Sequence, residues 1–316
     1  MAYQSKNLKV AFLNLYLGGT GLGAGKPIAD LHAADGRPFP MAGVYIDTDP
    51  QPAPHVDHSI LIPLDGQKSQ TILASPKTFG PVVEIIVEHY RHLLNPEDIQ
   101  NGARTIRLLT QLAFIYYRES ILRGLNRAIL DLKKRGEFDF IVPMLISSSG
   151  GGTGSALQIL LPQALKDPWF ASRLTEGLPA GILQTPVLFV VEPYAYALRN
   201  QEMHANKILA NAYAFRMESV LLEKKHAFKY CYHLGLAGPG GAVLDSPDEV
   251  AMVLGASVYQ FERSWSPIKG RKVDTVDTQV ITSHYGGDDV PENFLAEQEA
   301  LVAELDSAGF TTVNPM

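Results

Sequence analysis

The chain has 316 residues, of which 46% are hydrophobic and 19% are charged, so it can bury a sizeable core and does not resemble a disordered polymer. Lys and Arg together number 27 against 33 Asp and Glu, which gives a formal net charge of -6. A mildly acidic chain with only short basic clusters is a poor candidate for binding a nucleic-acid backbone. The single cysteine, Cys231, excludes an intramolecular disulfide and a cluster of thiolate metal ligands.

The hydropathy pattern predicts no transmembrane segment. The longest strongly apolar stretch, residues 178–191, is interrupted by Pro179 and Pro186 and is too short to span a bilayer. The first nine residues are polar and lack the apolar core of a secretory signal. We therefore expect a cytoplasmic protein, and the sequence leaves peripheral contact with a membrane or with a partner protein open.

Apolar runs of strand length alternate with helical patterns over most of the chain. The runs predict strands at residues 8–17, 42–46, 59–63, 138–146, 186–191 and 228–234. Apolar residues at helical spacing predict helices at residues 82–94, 100–134, 156–165, 198–225 and 246–261, and another helix follows the glycines after the first strand. Because the strands are apolar throughout, the pattern predicts an α/β fold with a doubly wound, mostly parallel sheet and helices on both faces.

The strongest binding signal is the segment SSSGGGTGS at residues 147–155. It places three consecutive glycines between a buried strand and a helix, where backbone N–H groups and the helix dipole favour a phosphate. Thr153 and Ser155 add hydroxyl donors. The alternative is a plain flexible turn, but such a turn does not need three successive glycines between buried elements.

A second glycine-rich segment, GGTGLGAG at residues 18–25, follows the first predicted strand. It is not a Walker A loop, because Thr20 stands where that motif needs glycine and Pro27 follows Lys26. We interpret it as a loop at the end of a strand, which is where ligands bind in doubly wound sheets.

A Rossmann dinucleotide loop is compatible with this segment only in the relaxed form Gly19, Gly21, Ala24. Its acidic partner would end the second strand, where Asp47 and Asp49 both lie. One such loop arises easily by chance, whereas two glycine segments at strand ends in one sheet do not.

Four segments, in order, resemble loops of the tubulin and FtsZ family. SSSGGGTGSA at residues 147–156 resembles the GGGTG signature, and GGTG at residues 18–21 resembles the first glycine loop of that family. IDTDPQP at residues 46–52 is similar to the FtsZ segment with an Asn-Thr-Asp run, and VVEPYAYAL at residues 190–198 is similar to the tubulin loop VVEPYNA. The resemblance covers about residues 8–265.

The resemblance implies a GTP-binding domain with a central helix over residues 1–265, and an acidic loop with a short C-terminal remnant over residues 266–316. It implies GTP or GDP as the ligand, with Mg²⁺ as a possible companion of the nucleotide and no separate metal site. Glu192 and Arg199 would face the ribose, and Asn206 or Asn211 the guanine. The implied nucleotide contacts are Gly18, Gly19, Thr20, Gly21, Asp47, Asp49, Ser149, Gly150, Gly151, Gly152, Thr153, Gly154, Ser155, Glu192, Arg199, Asn206 and Asn211. No Asn lies in the predicted central helix, which departs from the family pattern and leaves strict guanine specificity open.

In the family that the chain resembles, an acidic loop after the central helix completes hydrolysis on the nucleotide of the next subunit. FtsZ carries Asn-x-Asp-x-x-Asp there. This chain keeps Asp274 and Asp277 and has Lys272 in place of the Asn. The resemblance implies that both acids are catalytic, whereas an ordinary solvated loop fits the same residues equally well. Only 39 residues follow Asp277, so we expect the family's second domain to be missing or reduced, and the resemblance does not by itself imply a filament.

The leading hypothesis is a tubulin/FtsZ-like GTP-binding protein that self-associates head to tail and hydrolyses GTP at the subunit contact, as in a cytoskeletal filament. A nucleotide-binding regulatory or scaffold module that does not polymerise is a first alternative, favoured by the short C-terminal region. A Rossmann-type oxidoreductase using NAD(P) is a second, although the glycines at residues 150–154 lie far from the first strand. The partner expected under the leading hypothesis is a second copy of the chain, and no nucleic acid is expected.

Overall fold

The structure is a computed structural model that describes residues 9–50, 53–94, 106–192, 202–235, 246–264 and 280–281. In this part of the chain, the strands form one parallel sheet in the order β3-β2-β1-β4-β5-β6-β7. The strands are β1 (Val10–Leu17), β2 (Met41–Asp47), β3 (His58–Leu61), β4 (Phe140–Ser148), β5 (Val187–Val191), β6 (Tyr230–Leu234) and β7 (Val280–Ile281). The predicted α/β fold with a parallel sheet is confirmed.

The described helices connect these strands. They are α1 (Gly18–Ala34), α2 (Gly66–Ala74), α3 (Pro81–Tyr90), α4 (Arg107–Tyr116), α5 (Arg118–Arg135), α6 (Gly152–Lys166), α7 (Pro168–Leu174), α8 (Glu202–Lys224) and α9 (Pro247–Ser264). Short 3-10 turns cover Pro76–Phe79 and Arg91–Leu94. The order of the sheet reverses between β1 and β4, because the chain moves outward from β1 in one direction and from β4 in the other.

Successive side chains of each strand point to opposite faces of the sheet, and the apolar ones form one core on each face. On β1, Leu13 and Leu15 point into the core that α4, α5, α6, α7 and α8 cover. Phe12 and Tyr16 point into the opposite core, which α1 and α9 cover. Helices therefore lie on both faces, which confirms the doubly wound arrangement and fixes the carboxyl ends of β1 and β4 side by side.

The glycine-rich segment at residues 18–25 is not a loop, contrary to the sequence-based interpretation. The helix α1 begins at Gly18, directly after β1. A Cβ on Gly21 would lie 2.2 Å from the carbonyl oxygen of Ile146, and a Cβ on Gly25 would lie 3.4 Å from the Tyr16 ring. Several glycines of this segment thus allow α1 to pack closely on the sheet.

Three other sequence predictions need correction. The helix predicted at residues 100–134 is divided at Tyr117, whose hydroxyl donates to the Pro63 carbonyl oxygen at 2.8 Å, and its first residues lie outside the described part. The sequence analysis predicts no helix between the strand at residues 59–63 and residue 82, yet α2 lies there, capped by Asp65, which accepts from the Lys68 N–H. The segment at residues 147–155 is mostly regular, because β4 runs to Ser148 and α6 begins at Gly152. The proposed boundary at residue 265 stays a prediction.

Candidate functional site

The N-termini of α1 and α6 meet where the order of the sheet reverses. Adjacent strands β1 and β4 pair in parallel, with Tyr16 opposite Ile146, and each leads within a few residues into its helix. A Cβ on Gly18 would lie 3.2 Å from the backbone nitrogen of Gly154, so the two first turns touch through their backbones. Ligands of doubly wound sheets bind in this crevice.

Both helix N-termini are electrostatically suited to an anion. The first N–H groups of a helix have no intrahelical acceptor, and the helix dipole places partial positive charge there. Neither α1 nor α6 has a side-chain cap or an acidic residue in its first turn. Of the other described helices, α4 shares both properties, whereas Asp65 caps α2 and Asp167 caps α7. The paired N-termini of α1 and α6 can therefore bind a phosphate through unshared donors.

Some glycines of the site are required by packing. A Cβ on Gly154 would lie 1.7 Å from the Ser147 Oγ and 2.8 Å from the Leu17 carbonyl oxygen. A Cβ on Gly150 would lie 2.5 Å from Cγ2 of Ile208 on α8. These positions would be glycine whether or not a ligand binds.

Two glycines have no such explanation. A Cβ on Gly19 would meet nothing within 4 Å, and a Cβ on Gly151 would make only an ordinary contact of 3.4 Å with the Ser148 Oγ. Neither residue has a left-handed backbone. Gly19 lies in the first turn of α1 and Gly151 is the N-cap of α6, so both leave the backbone open at the paired N-termini.

Two hydroxyl groups meet at these helix N-termini, one from Thr48 directly after β2 and one from Thr153 in the first turn of α6. The hydroxyls of Thr48 and Thr153 are 2.8 Å apart. Asp47 holds Thr48 by accepting its backbone N–H at 2.6 Å, and it also accepts the Tyr45 hydroxyl at 2.5 Å. Asp47 thus orients Thr48, while the backbone N–H of Asp49 bonds to the same carboxylate at 3.2 Å. Thr48 was missed from the sequence, and its only signal is its position between two acids at the end of a strand.

The serines between β4 and the first turn of α6 form hydrogen bonds within the protein. Ser149 is buried and donates both its backbone N–H and its hydroxyl to the Val191 carbonyl oxygen. The Ser155 hydroxyl donates to the Gly151 carbonyl oxygen, one turn earlier. Thr20 donates to the Ser148 Oγ at 3.3 Å, which links the first turn of α1 to β4. These contacts fix the shape of the segment that carries Gly151.

At the end of β5, Glu192 joins a partly buried polar cluster. Its Oε1 lies 2.6 Å from Nδ1 of His233 and 3.8 Å from the Arg216 guanidinium, and Nε2 of His233 lies 3.3 Å from the Cys231 Sγ. Burial lowers the pKa of His233, but Cys231 and Glu192 outweigh burial and raise this pKa to about 10. A protonated His233 then holds Glu192 in place. The sequence analysis did not identify this role, because nothing in the local pattern distinguishes His233 from the other residues of its strand.

The remaining predicted site residues fall in different places. Asn211 on α8 donates its amide to the Gly150 carbonyl oxygen at 3.0 Å, so it supports the glycine segment from the side. Asn206 is exposed one turn earlier on α8. Arg199, Asp274 and Asp277 lie outside the described residues.

Two further properties concern only the described ranges. Within them, no group of three or more His, Cys, Asp or Glu side chains is arranged to hold a metal ion. Among the same residues, every helix is too short or too polar to cross a lipid bilayer.

Comparisons with known proteins give structural but not sequence matches. No protein-family model matches the chain, and no curated protein sequence matches it. CetZ2 from Haloferax volcanii, solved as a GTPgS-bound protofilament, is similar with a TM-score of 0.46 and 12% identity over 80% of this chain. TubZ of type III plasmid segregation is similar with a TM-score of 0.39 and 14% identity over 80% of this chain. The chain spans 58% and 56% of the length of these two proteins. Both TM-scores are below 0.5, so the α/β architecture rests on the sheet order of the chain itself.

Proposed function

We propose that this chain binds GTP, with the phosphates at the paired N-termini of α1 and α6. The observation that carries the proposal is the pair Gly19 and Gly151, whose open Cβ positions lie at two uncapped helix N-termini that touch. A ligand that approaches the backbone closely accounts for glycine at both positions.

The neighbouring residues would complete the site. The backbone N–H groups of residues 18–21 and 150–154 would bind the phosphates, with Thr153 and its partner Thr48 at the side. Glu192, held by His233 and joined by Arg199, would face the ribose, and Asn206 or Asn211 would face the base. We include Mg²⁺ as a companion of the phosphates, since multiply charged phosphates in such sites usually carry it. These assignments rest on the positions of the residues and on the resemblance of their segments to tubulin and FtsZ loops.

Competition binding tests the choice of nucleotide. We expect GTP to displace a fluorescent GTP analogue at a concentration at least about tenfold lower than ATP or NAD, which corresponds to about 1.4 kcal/mol of discrimination. The guanine contacts provide this difference, because the phosphates are common to GTP and ATP. A preference for NAD would overturn the proposal in favour of an oxidoreductase, and equal affinity for GTP and ATP would remove the guanine contacts from it.

We further propose that the chain self-associates head to tail and that Asp274 and Asp277 of one subunit act on the nucleotide of the next. A carboxylate that orients the attacking water contributes about 100-fold or more to the rate. We therefore expect the GTP hydrolysis rate per subunit to rise with protein concentration. Asp277→Ala should lower this rate about 100-fold and leave GTP affinity unchanged, as measured by phosphate release and by nucleotide titration.

Two controls complete this experiment. Asp289→Ala removes an acid outside the Asp274–Asp277 pair and should leave the rate unchanged. Lys272→Asn introduces the residue that FtsZ carries and should not lower the rate. A rate that is flat with concentration and survives the double alanine variant would contradict catalysis by this loop. GTP binding with no turnover in the natural chain would instead favour the non-polymerising regulatory module.

A further inference from the structure

A second cavity lies at the opposite end of the sheet from the paired N-termini. Its volume is about 920 Å³, within the range of pockets that hold small organic molecules. It is lined at the amino ends of β1 and β2, at the C-terminal end of α1, and by residues 135–137 between α5 and β4. The residues that matter for the argument are Phe12, His32, Ala33, Arg37, Phe39 and Arg135.

One wall of this cavity is aromatic and rigid. The rings of Phe12 and Phe39 pack edge to face with centroids 5.0 Å apart, and the His32 ring lies 5.0 Å from the Phe39 ring. Nε2 of His32 bonds to the Phe39 carbonyl oxygen at 2.8 Å, which fixes the imidazole. An apolar, flat ligand surface would find a preformed contact here.

Among the described residues that line the cavity, one cation has no ion-pair partner. Arg135 is bound by Asp57 at 2.5 Å and by the Met41 carbonyl oxygen at 2.6 Å, and Lys9 pairs with Glu137 at 3.0 Å. Arg37 makes no ion pair with any of the residues that the structure describes. Burial lowers the pKa of His32, and the positive charges of Arg37 and Arg135 contribute to that lowering. The cavity therefore has an excess of positive charge beside an aromatic wall.

The backbone at the cavity rim is held in an uncommon conformation. Arg37 has φ 57° and His55 has φ 64°, both in the left-handed region that residues other than glycine seldom adopt. Arg37 is retained there by its backbone N–H, which donates to the His32 carbonyl oxygen at 2.8 Å. Both residues line the cavity, so the backbone conformation at the end of α1 fixes where the Arg37 side chain leaves the rim.

We propose that this cavity binds a small organic acid with an aromatic body, whose carboxylate pairs with Arg37 and whose ring packs against Phe39, with Phe12 buried behind it. The site is separate from the GTP site, because the two lie at opposite ends of the parallel strands. It does not depend on the proposed nucleotide function.

A matched pair of probes tests this proposal with the full chain. The first probe is 1-naphthoate and the second is 1-naphthalenemethanol, which has the same ring system without the charge. With saturating GTP present to occupy the other site, we expect naphthoate to bind at least about tenfold more tightly than the alcohol, as one charge-assisted hydrogen-bonded pair predicts. Binding is measured by ligand-observed NMR, and the His32 ring resonances should shift with naphthoate.

Variants separate a built site from non-specific adsorption. Arg37→Asn keeps a residue that tolerates the left-handed backbone and removes the guanidinium, so it should abolish the preference for naphthoate. Ala33→Trp, at an exposed helix position, should fill the cavity and block both probes. Arg127→Asn, on the exposed face of α5, is the control and should change nothing. Equal binding of the two probes, or an unchanged preference in a folded Arg37→Asn chain, would overturn the proposal.

Discussion

Gly19→Val and Gly151→Val should each weaken GTP binding at least about 100-fold in a chain that remains folded. Each side chain would occupy space that the proposed phosphates need and would separate them from two backbone donors. Two hydrogen bonds to a charged group contribute about 3 kcal/mol together, and this corresponds to about 100-fold in affinity. The measurement is titration with a fluorescent GTP analogue, combined with thermal unfolding of each variant.

Measuring stability beside GTP affinity distinguishes a lost binding contact from general damage to the fold. A Cβ on Gly19 meets nothing within 4 Å, so Gly19→Ala should raise the free energy of unfolding through helix propensity, by at most the helix-interior value of about 0.5–1 kcal/mol. The same substitution should lower GTP affinity. Opposite signs for stability and binding cannot come from general damage to the fold.

Two control variants accompany this prediction. Ala34→Val adds a comparable side chain at the other end of α1 and should leave GTP affinity unchanged. Gly154→Ala should destabilise the fold, because its Cβ would overlap the Ser147 Oγ at 1.7 Å. Unchanged GTP affinity in folded Gly19→Val and Gly151→Val chains would show that the paired N-termini are not the phosphate site.

Buried strands and the segments that follow them were predictable from the sequence. The predicted bounds of β1 and β4 lie within two residues of the observed ones, because an uninterrupted apolar run of this length is typical of a buried strand. The glycines after them were also identified, since two glycine-rich segments at strand ends are unusual. The position of the candidate site follows from these two facts and from the parallel arrangement of the sheet.

The function of each glycine could not be read from the sequence. Gly19 and Gly21 belong to one run of glycines, yet a Cβ on Gly21 would lie 2.2 Å from the Ile146 carbonyl oxygen and a Cβ on Gly19 would touch nothing within 4 Å. Only the position of β4, which carries Ile146, distinguishes Gly21 from Gly19. For the same reason, the predicted loop at residues 18–25 was wrong.

Weakly amphipathic elements and buried polar contacts also escaped prediction. The helix α2 buries only Ser69 and Ile72, so it lacks the repeated apolar spacing that identifies a helix. The contact between Glu192 and His233 joins residues 41 positions apart, which no local pattern indicates. Long-range polar contacts of this kind depend on the register of neighbouring strands.

A buried carboxyl group beneath α9 leads to the last prediction. Glu262 is 1% exposed, and Asn14 on β1 is fully buried near it. In the described part of the chain, neither carboxyl oxygen of Glu262 and neither polar side-chain atom of Asn14 has a hydrogen-bond partner. Burial raises the pKa of Glu262 to about 8, which the nearby Asn14 amide only partly opposes. The native chain therefore keeps this group protonated at neutral pH.

Glu262→Gln should stabilise the chain at neutral and alkaline pH. The pKa of this carboxyl is raised in the native state, so its contribution to stability is complete below its unfolded value of 4.5 and is lost as the pH rises through about 8. Over that interval, this group lowers the free energy of unfolding by up to about 1.4 kcal/mol per pH unit. Gln has nearly the same shape and no charge, so the variant should be more stable by about 3 kcal/mol at pH 7.

Urea unfolding at pH 5, 6, 7 and 8 measures the difference in the free energy of unfolding between Glu262→Gln and the natural chain, which should grow with pH. The control is Asp248→Asn, at an exposed position of α9, whose difference from the natural chain should stay nearly constant over the same pH range. Parallel pH profiles for the natural chain and Glu262→Gln would mean that Glu262 is not buried as a neutral acid.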